Sequence, residues 1–240
     1  MTYDLVAVGD VMLDVHVVTP PGNGVVHEGI RVCAGGSAVN AARAARRLGA
    51  RVAVVGRVGD DAAGAAIDAD LRRSGIAPLL EIEADAVTGT VAYVGAGVVA
   101  DRGANAGFTP AGLPAARVTL VSGYLDTDAV GAALAHAQGV RAVDLQRAGQ
   151  RAFDADVVLG PNIPVEDFAA HHRVVCATLA ERGALAVSGG ERLRVVPERV
   201  LAASPRGGGD AFAAAFLLAL ADDHPLRTCL ERGCAAVLEL

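Results

Sequence analysis

Short runs of apolar, β-branched residues alternate along this chain with longer alanine-rich stretches whose apolar positions recur every three to four residues. Leu5-Val6-Ala7-Val8-Gly9 reads as a buried strand, and 15–18 and 25–32 read as shorter strands separated by the turn Pro20-Pro21-Gly22-Asn23-Gly24. The pattern predicts a helix over 37–48 stopped by Gly49, a strand over 51–56, and a helix over 62–74 again followed by glycine. It predicts a strand and its return over 88–99. Beyond these it predicts strands at 117–122, 140–144, 156–159 and 184–188, and helices at 126–138, 173–182, 210–221 and 226–238. Strands alternating with helices of this length imply a parallel sheet covered on both faces. The early β-rich stretch and 88–99 break the alternation and predict a small β-appendage. No linker, repeat or charge run divides the chain, so 1–240 reads as one domain.

Composition narrows the chemistry. The 240 residues carry a net charge of −6, which argues against a nucleic-acid partner. Every basic residue is arginine; the chain has no lysine. A Walker-type phosphate loop, a kinase strand lysine and a pyridoxal Schiff base all require one, so none is present in its usual form. Cys33, Cys176, Cys229 and Cys234 form no CxxC pair and read as small buried side chains of a reducing compartment. No apolar stretch reaches 18 residues, so the reading is a cytoplasmic protein without a membrane span.

Glycines and acids that follow strands are where a parallel sheet binds ligands. Three glycines, Gly207, Gly208 and Gly209, precede Asp210 at the start of an apolar helix. Backbone amides converging there, together with the helix dipole, suit an anion. Asp210 is either a base for a hydroxyl proton or a plain helix cap. Gly35 and Gly36 open a second helix, with Asn40 one turn in, where it offers both a donor and an acceptor. The third cluster, Gly56 to Gly64, reads as a tight turn and a capped helix. Gly95-Ala96-Gly97 comes too late, and Asp101 too soon after it, for a dinucleotide fingerprint.

In this order and spacing, the clusters resemble the signatures of the ribokinase/PfkB-type carbohydrate kinase family. Gly207-Gly208-Gly209-Asp210 stands where the family has G-A-G-D, 34–64 is similar to its first signature, and 9–14 is similar to its first strand. Asp101-Arg102-Gly103-Ala104-Asn105 and Val121-Ser122-Gly123-Tyr124 also recur among members. The resemblance implies a ribokinase-like three-layer α/β/α sandwich with a mostly parallel sheet and a β-sheet lid near 11–32 and 88–102. It implies ATP-dependent phosphorylation of a sugar-like hydroxyl with Mg²⁺, and pairing of two chains through the lid. Asp210 becomes the base, and Gly207, Gly208 and Gly209 the anion hole. Asp14, Gly35, Gly36, Asn40 and Arg102 become substrate-binding residues. Asn162, Ser188 and Gly190 become nucleotide-binding residues, and Glu166 reaches the metal through water.

The chain departs from the family in places. Pro161-Asn162-Ile163-Pro164-Val165-Glu166 sets the glutamate one residue later than the usual N-x-x-E. Ser204 replaces an aspartate that serves a monovalent cation in many members, so insensitivity to K⁺ is expected. The lid segment and the tail after the last helix are shorter than in most members, with consequences expected for the adenine pocket. Two other readings fit the residues: a sugar- or nucleoside-binding relative without catalysis, and an unrelated nucleotide-cofactor enzyme on a similar sheet.

Overall fold

The computed structural model describes residues 2–17, 29–145, 153–197, 199 and 205–239. β1 (Tyr3–Val8) sits in the interior of a nine-stranded sheet. Beside it run β4 (Val52–Gly59) and the edge strand β5 (Ala77–Glu83). On the other side lie β8 (Ala116–Ser122), β9 (Val140–Asp144), β10 (Val157–Pro161), β11 (Val174–Thr178), β12 (Ala184–Ser188) and β13 (Glu191–Val195). All neighbours from β5 to β11 pair in parallel; β12 and β13 turn antiparallel.

Side chains alternate across the pleat, so β1 feeds two cores. Leu5 and Ala7 pack with α1 (Ser37–Arg47), α2 (Ala62–Arg73), α5 (Gly208–Ala221) and α6 (Leu226–Leu238). Val6 and Val8 pack with α3 (Thr127–His136) and α4 (Val165–Ala169) on the other face. The three-layer expectation therefore holds. Helix α5 is apolar almost all round because it lies between the sheet and α6: Ala211, Phe212, Phe216 and Leu217 are all buried.

A second sheet of four strands, in the order β3 (Ile30–Gly35), β2 (Met12–Val17), β6 (Thr90–Val94), β7 (Gly97–Asp101), forms the lid. Gly95 has a φ of 57° in the β6–β7 hairpin, so this glycine pair serves a turn. The turn at 20–24 and the first part of the 25–32 strand lie outside the described residues.

Two expectations fail. The segment 173–182 is not a helix but β11 followed by a single 3-10 turn, Ala180–Arg182. Its apolar residues are hydrogen-bonded on both flanks, to β10 and β12, and this pairing outweighs the local helical pattern. β5, β13 and α4 were not expected at all. β5 contains Pro78, which an edge strand tolerates because one side needs no ladder donor.

Candidate functional site

A cavity of about 990 Å³ opens between the lid and the carboxyl ends of the parallel strands. Asp10, Asp14, Gly36, Asn40, Arg102, Gly207, Gly209 and Asp210 all line it. Two glycine clusters more than 160 residues apart in the chain thus meet, because α1 and α5 pack side by side.

Asp210 is the third residue of α5, and the cap position belongs to Gly207, which takes a left-handed φ of 75°. The capping explanation of Asp210 is therefore excluded. Its carboxylate instead accepts a hydrogen bond from the Ser37 hydroxyl at 2.8 Å and one from the Asn40 amide at 3.1 Å. Burial pushes its pKa up to about 6, against the pull of those two donors. Of the three glycines, Gly208 is set apart. Its amide donates to the Pro205 carbonyl at 3.0 Å and it packs near Val237, so Gly207 and Gly209 are the ones that face the cavity.

Asp14, on β2, is buried, and its Oδ1 has no hydrogen-bond partner among the described residues. Burial raises its pKa to about 6, with the nearby guanidiniums of Arg43 and Arg206 working in the opposite direction. An unsatisfied buried carboxylate oxygen is costly, and a ligand hydroxyl would relieve it. Gly36 has a φ of 93°, and a Cβ there would lie 2.2 Å from the Asp10 carbonyl oxygen, so this turn accepts glycine only.

Arg102 ion-pairs with Asp10 at 3.2 Å and with Asp126 at 3.5 Å. Asn105 is fully buried and holds the Arg102 turn in place: its side chain accepts from the Val11 amide and donates to the Val11 and Arg102 carbonyls. Asp61 caps α2 and binds Thr88, so the third glycine cluster is structural.

The predicted nucleotide residues do not come together. Asn162 follows β10 at the carboxyl edge of the sheet, with a φ of 50°, and its side chain accepts from Arg182 at 3.3 Å. Ser188 pairs with Val174 at the start of β11, and Gly190 follows in the β12–β13 turn, both at the opposite edge of the sheet. The reversal of β12 takes them there. They therefore do not stand beside Asn162. Their assignment came from the family resemblance, and the antiparallel β12 places them at the amino ends of the parallel strands instead. Glu166 is exposed and ion-paired with Arg192. Among the described residues no group of three or more His, Cys, Asp or Glu is placed to hold a metal ion. Ser204 lies outside the described residues.

Sequence reasoning missed Asp10, Ser37 and the lid row described next. Asp10 was findable as an acid directly after a buried strand. The lid residues on the cavity side form two cross-strand rows. One is Cys33, Asp14, Val91 and Ala100; the other is Arg31, His16, Tyr93 and Val98. His16 stacks on Tyr93 with ring centroids 4.7 Å apart, and the Arg206 guanidinium lies 4.2 Å from the Tyr93 ring centre.

The family model for pfkB family carbohydrate kinases matches residues 2–152 and 165–237. No curated protein sequence matches the chain. Among solved structures it superposes on apo adenosine kinase from Trypanosoma brucei brucei with a TM-score of 0.82 and 21% identity, covering 100% of this chain and 98% of that one. Arabidopsis thaliana ribokinase complexed with ribose and ATP gives 0.76 and 20%, over 99% and 92% of the two chains. A Methanocaldococcus jannaschii nucleoside kinase, an archaeal member of the ribokinase family, gives 0.75 and 16%, over 97% and 90%. At these identities the likeness is one of fold.

Proposed function

Because the chain belongs to the pfkB family of carbohydrate kinases, we propose that it transfers the γ-phosphoryl group of ATP to a hydroxyl of a sugar or sugar-like molecule, with Asp210 as the base. The observation that carries this reading is the Asp210 carboxylate. It lines the cavity, Ser37 and Asn40 fix its orientation, and burial pushes its pKa up to about 6. A carboxylate with a raised pKa is a better proton acceptor near neutral pH than an ordinary one.

In the reaction, the acceptor O–H gives its proton to Asp210, and its oxygen lone pair forms the new bond to the γ-phosphorus. The bond from that phosphorus to the bridging oxygen breaks, and ADP leaves with the electron pair. Gly207 and Gly209, at the amino end of α5, lie where amides and the helix dipole offset charge on the moving phosphoryl group. Asp14 accepts a hydrogen bond from a second acceptor hydroxyl, and Asn40 orients Asp210. Positioning of this kind supplies most of the catalysis in phosphoryl transfer. The described residues offer no ready-made metal cage, so Mg²⁺ would arrive on the nucleotide phosphates. The test is an ADP-release screen of the purified protein against sugars, sugar acids and nucleosides, with and without Mg²⁺. ATP turnover that needs both an acceptor and Asp210 supports the reading; ligand binding without ADP release favours a binding-only relative.

The same reading pairs two chains through the lid. Val15, Val17, Ile30, Val32, Val94 and Val99 fall on the alternate positions, away from the cavity rows, and Ile30 and Val99 are 73% and 70% exposed. An apolar sheet face of this kind is suited to burial against another.

A further inference from the structure

Five arginines line the cavity: Arg31, Arg43, Arg47, Arg102 and Arg206. Arg43 is committed to Asp70 and the Ala34 carbonyl, and Arg102 to Asp10 and Asp126. Arg47, in the last turn of α1, lies about 15 Å along the helix axis from Ser37, given about 1.5 Å of rise per residue. Among the described residues, neither Arg31 nor Arg206 has a carboxylate within ion-pair distance.

Both guanidiniums act on His16 although 175 positions separate them in the chain. Arg31 stands directly across from His16, His16 stands across from Tyr93, and Arg206 closes over the Tyr93 ring. The His16 ring responds to both: burial first, then Arg31 and Arg206, push its pKa down. A neutral imidazole cannot balance two cations. Asp14 sits one row away and, among the described residues, forms no ion pair with Arg206 and keeps its own oxygen unsatisfied. In a chain of net charge −6, two guanidiniums on one side of a cavity, without an ion-pair partner among the described residues, are a local arrangement and not a general property of the surface.

We infer that the acceptor carries an anionic substituent, a phosphate ester or a carboxylate, held on the lid between Arg31 and Arg206. This rests on the phosphotransferase reading above and adds its substrate class. The cavity then has three stations: the guanidiniums for the anion, Asp14 for a hydroxyl, and Asp210 for the hydroxyl that reacts. Guanidinium donors match the oxygens of either anion in a bidentate fashion. Tyr93 is already engaged by His16 and Arg206, so the lid does not reserve this ring as a platform for a nucleobase. Arg206 acts on the acceptor and not on the nucleotide, because its guanidinium rests on a lid strand beside Asp14.

Two measurements separate this claim from the kinase reading. ADP release is measured with D-fructose, D-fructose 6-phosphate, D-fructose 1-phosphate, D-gluconate and adenosine. The expected result is that an anionic acceptor has the highest kcat/KM, phosphates and gluconate deciding which anion it is. Arg31→Gln and Arg206→Gln should each raise its KM by about 10- to 100-fold, the worth of a hydrogen bond to a charged group, and leave the KM for ATP unchanged. Preference for D-fructose or adenosine, or an effect on ATP alone, would overturn it. Calorimetric binding of inorganic phosphate needs no turnover. Wild type should bind it at least about 10-fold more tightly than the Arg31→Gln/Arg206→Gln double variant. Equal binding by the two proteins overturns the inference whether or not the chain proves to be a kinase.

Discussion

Asp14 occupies the space in which any side chain on residue 35 would have to stand: a Cβ built on Gly35 falls 2.1 Å from the Asp14 Cγ. The glycine of the first signature and the acid of the first lid strand are therefore one device. β2 and β3 are paired antiparallel, with Met12 opposite Gly35, and this register brings the two together. Gly35→Ala must move the Asp14 carboxylate. The acceptor KM is expected to rise at least about 10-fold, the worth of one hydrogen bond to a charged group, with the ATP KM nearly unchanged. Initial rates at varied acceptor and varied ATP separate the two; equal effects would break the link.

Asp14 also carries a stability cost with a defined sign. Its pKa is raised from 3.8 to about 6 in the folded chain, so the folded state binds the proton more tightly than the unfolded one. The stability this provides is complete below pH 3.8 and is lost as pH rises through about 6. Asp14→Asn should therefore stabilise the protein by about 2–3 kcal/mol at pH 8, two pKa units being worth roughly that much. The gain should vanish near pH 4. Thermal unfolding at the two pH values checks it.

The donors on Asp210 set the pH range of activity. Since Ser37 and Asn40 both pull its pKa down, removing either lets burial raise it further. Activity requires the ionised carboxylate, so in wild type kcat should fall as pH drops through about 6. In Ser37→Ala this acidic limb should move to higher pH, and at pH 9 the rate should recover towards wild type. A limb that stays in place would detach Ser37 from the base.

The lid face offers a test by mass. Val32→Asp puts a charge on the exposed apolar face, on its edge strand β3, without touching either cavity row. Light scattering should find a dimer for wild type and a monomer for the variant; two identical masses would contradict pairing through the lid.

How much of this was legible without coordinates depended on how local each signal was. Helices α1, α2 and α6 were readable almost to the residue, because glycines with φ of 87° and 71° stop the first two and helical periodicity marks the third. Asn40 and Asp210 were found because each follows a glycine cluster at a helix start, and Asp14 and Arg102 through the family resemblance. The row of Arg31, His16 and Tyr93 was not legible, since it needs the pairing of β2 with β3 and also its parallel pairing with β6, 77 positions away at His16 and Tyr93. β11 was lost for a related reason: Val174, Val175 and Cys176 are a strand because of the partners on both sides. Ser188 and Gly190 were assigned by resemblance, which carried no information on the direction of β12, antiparallel to β11.

The central claim is that Asp210 takes the acceptor proton. Asp210→Asn keeps the size of the side chain and its place in α5, and it does not disturb the helix cap, which is Gly207. With the best acceptor from the screen and saturating ATP, kcat for Asp210→Asn should fall about 10²- to 10⁴-fold, the usual worth of a general base, while the melting temperature is kept or rises. A kcat within a few-fold of wild type, at an unchanged melting temperature, would contradict the account.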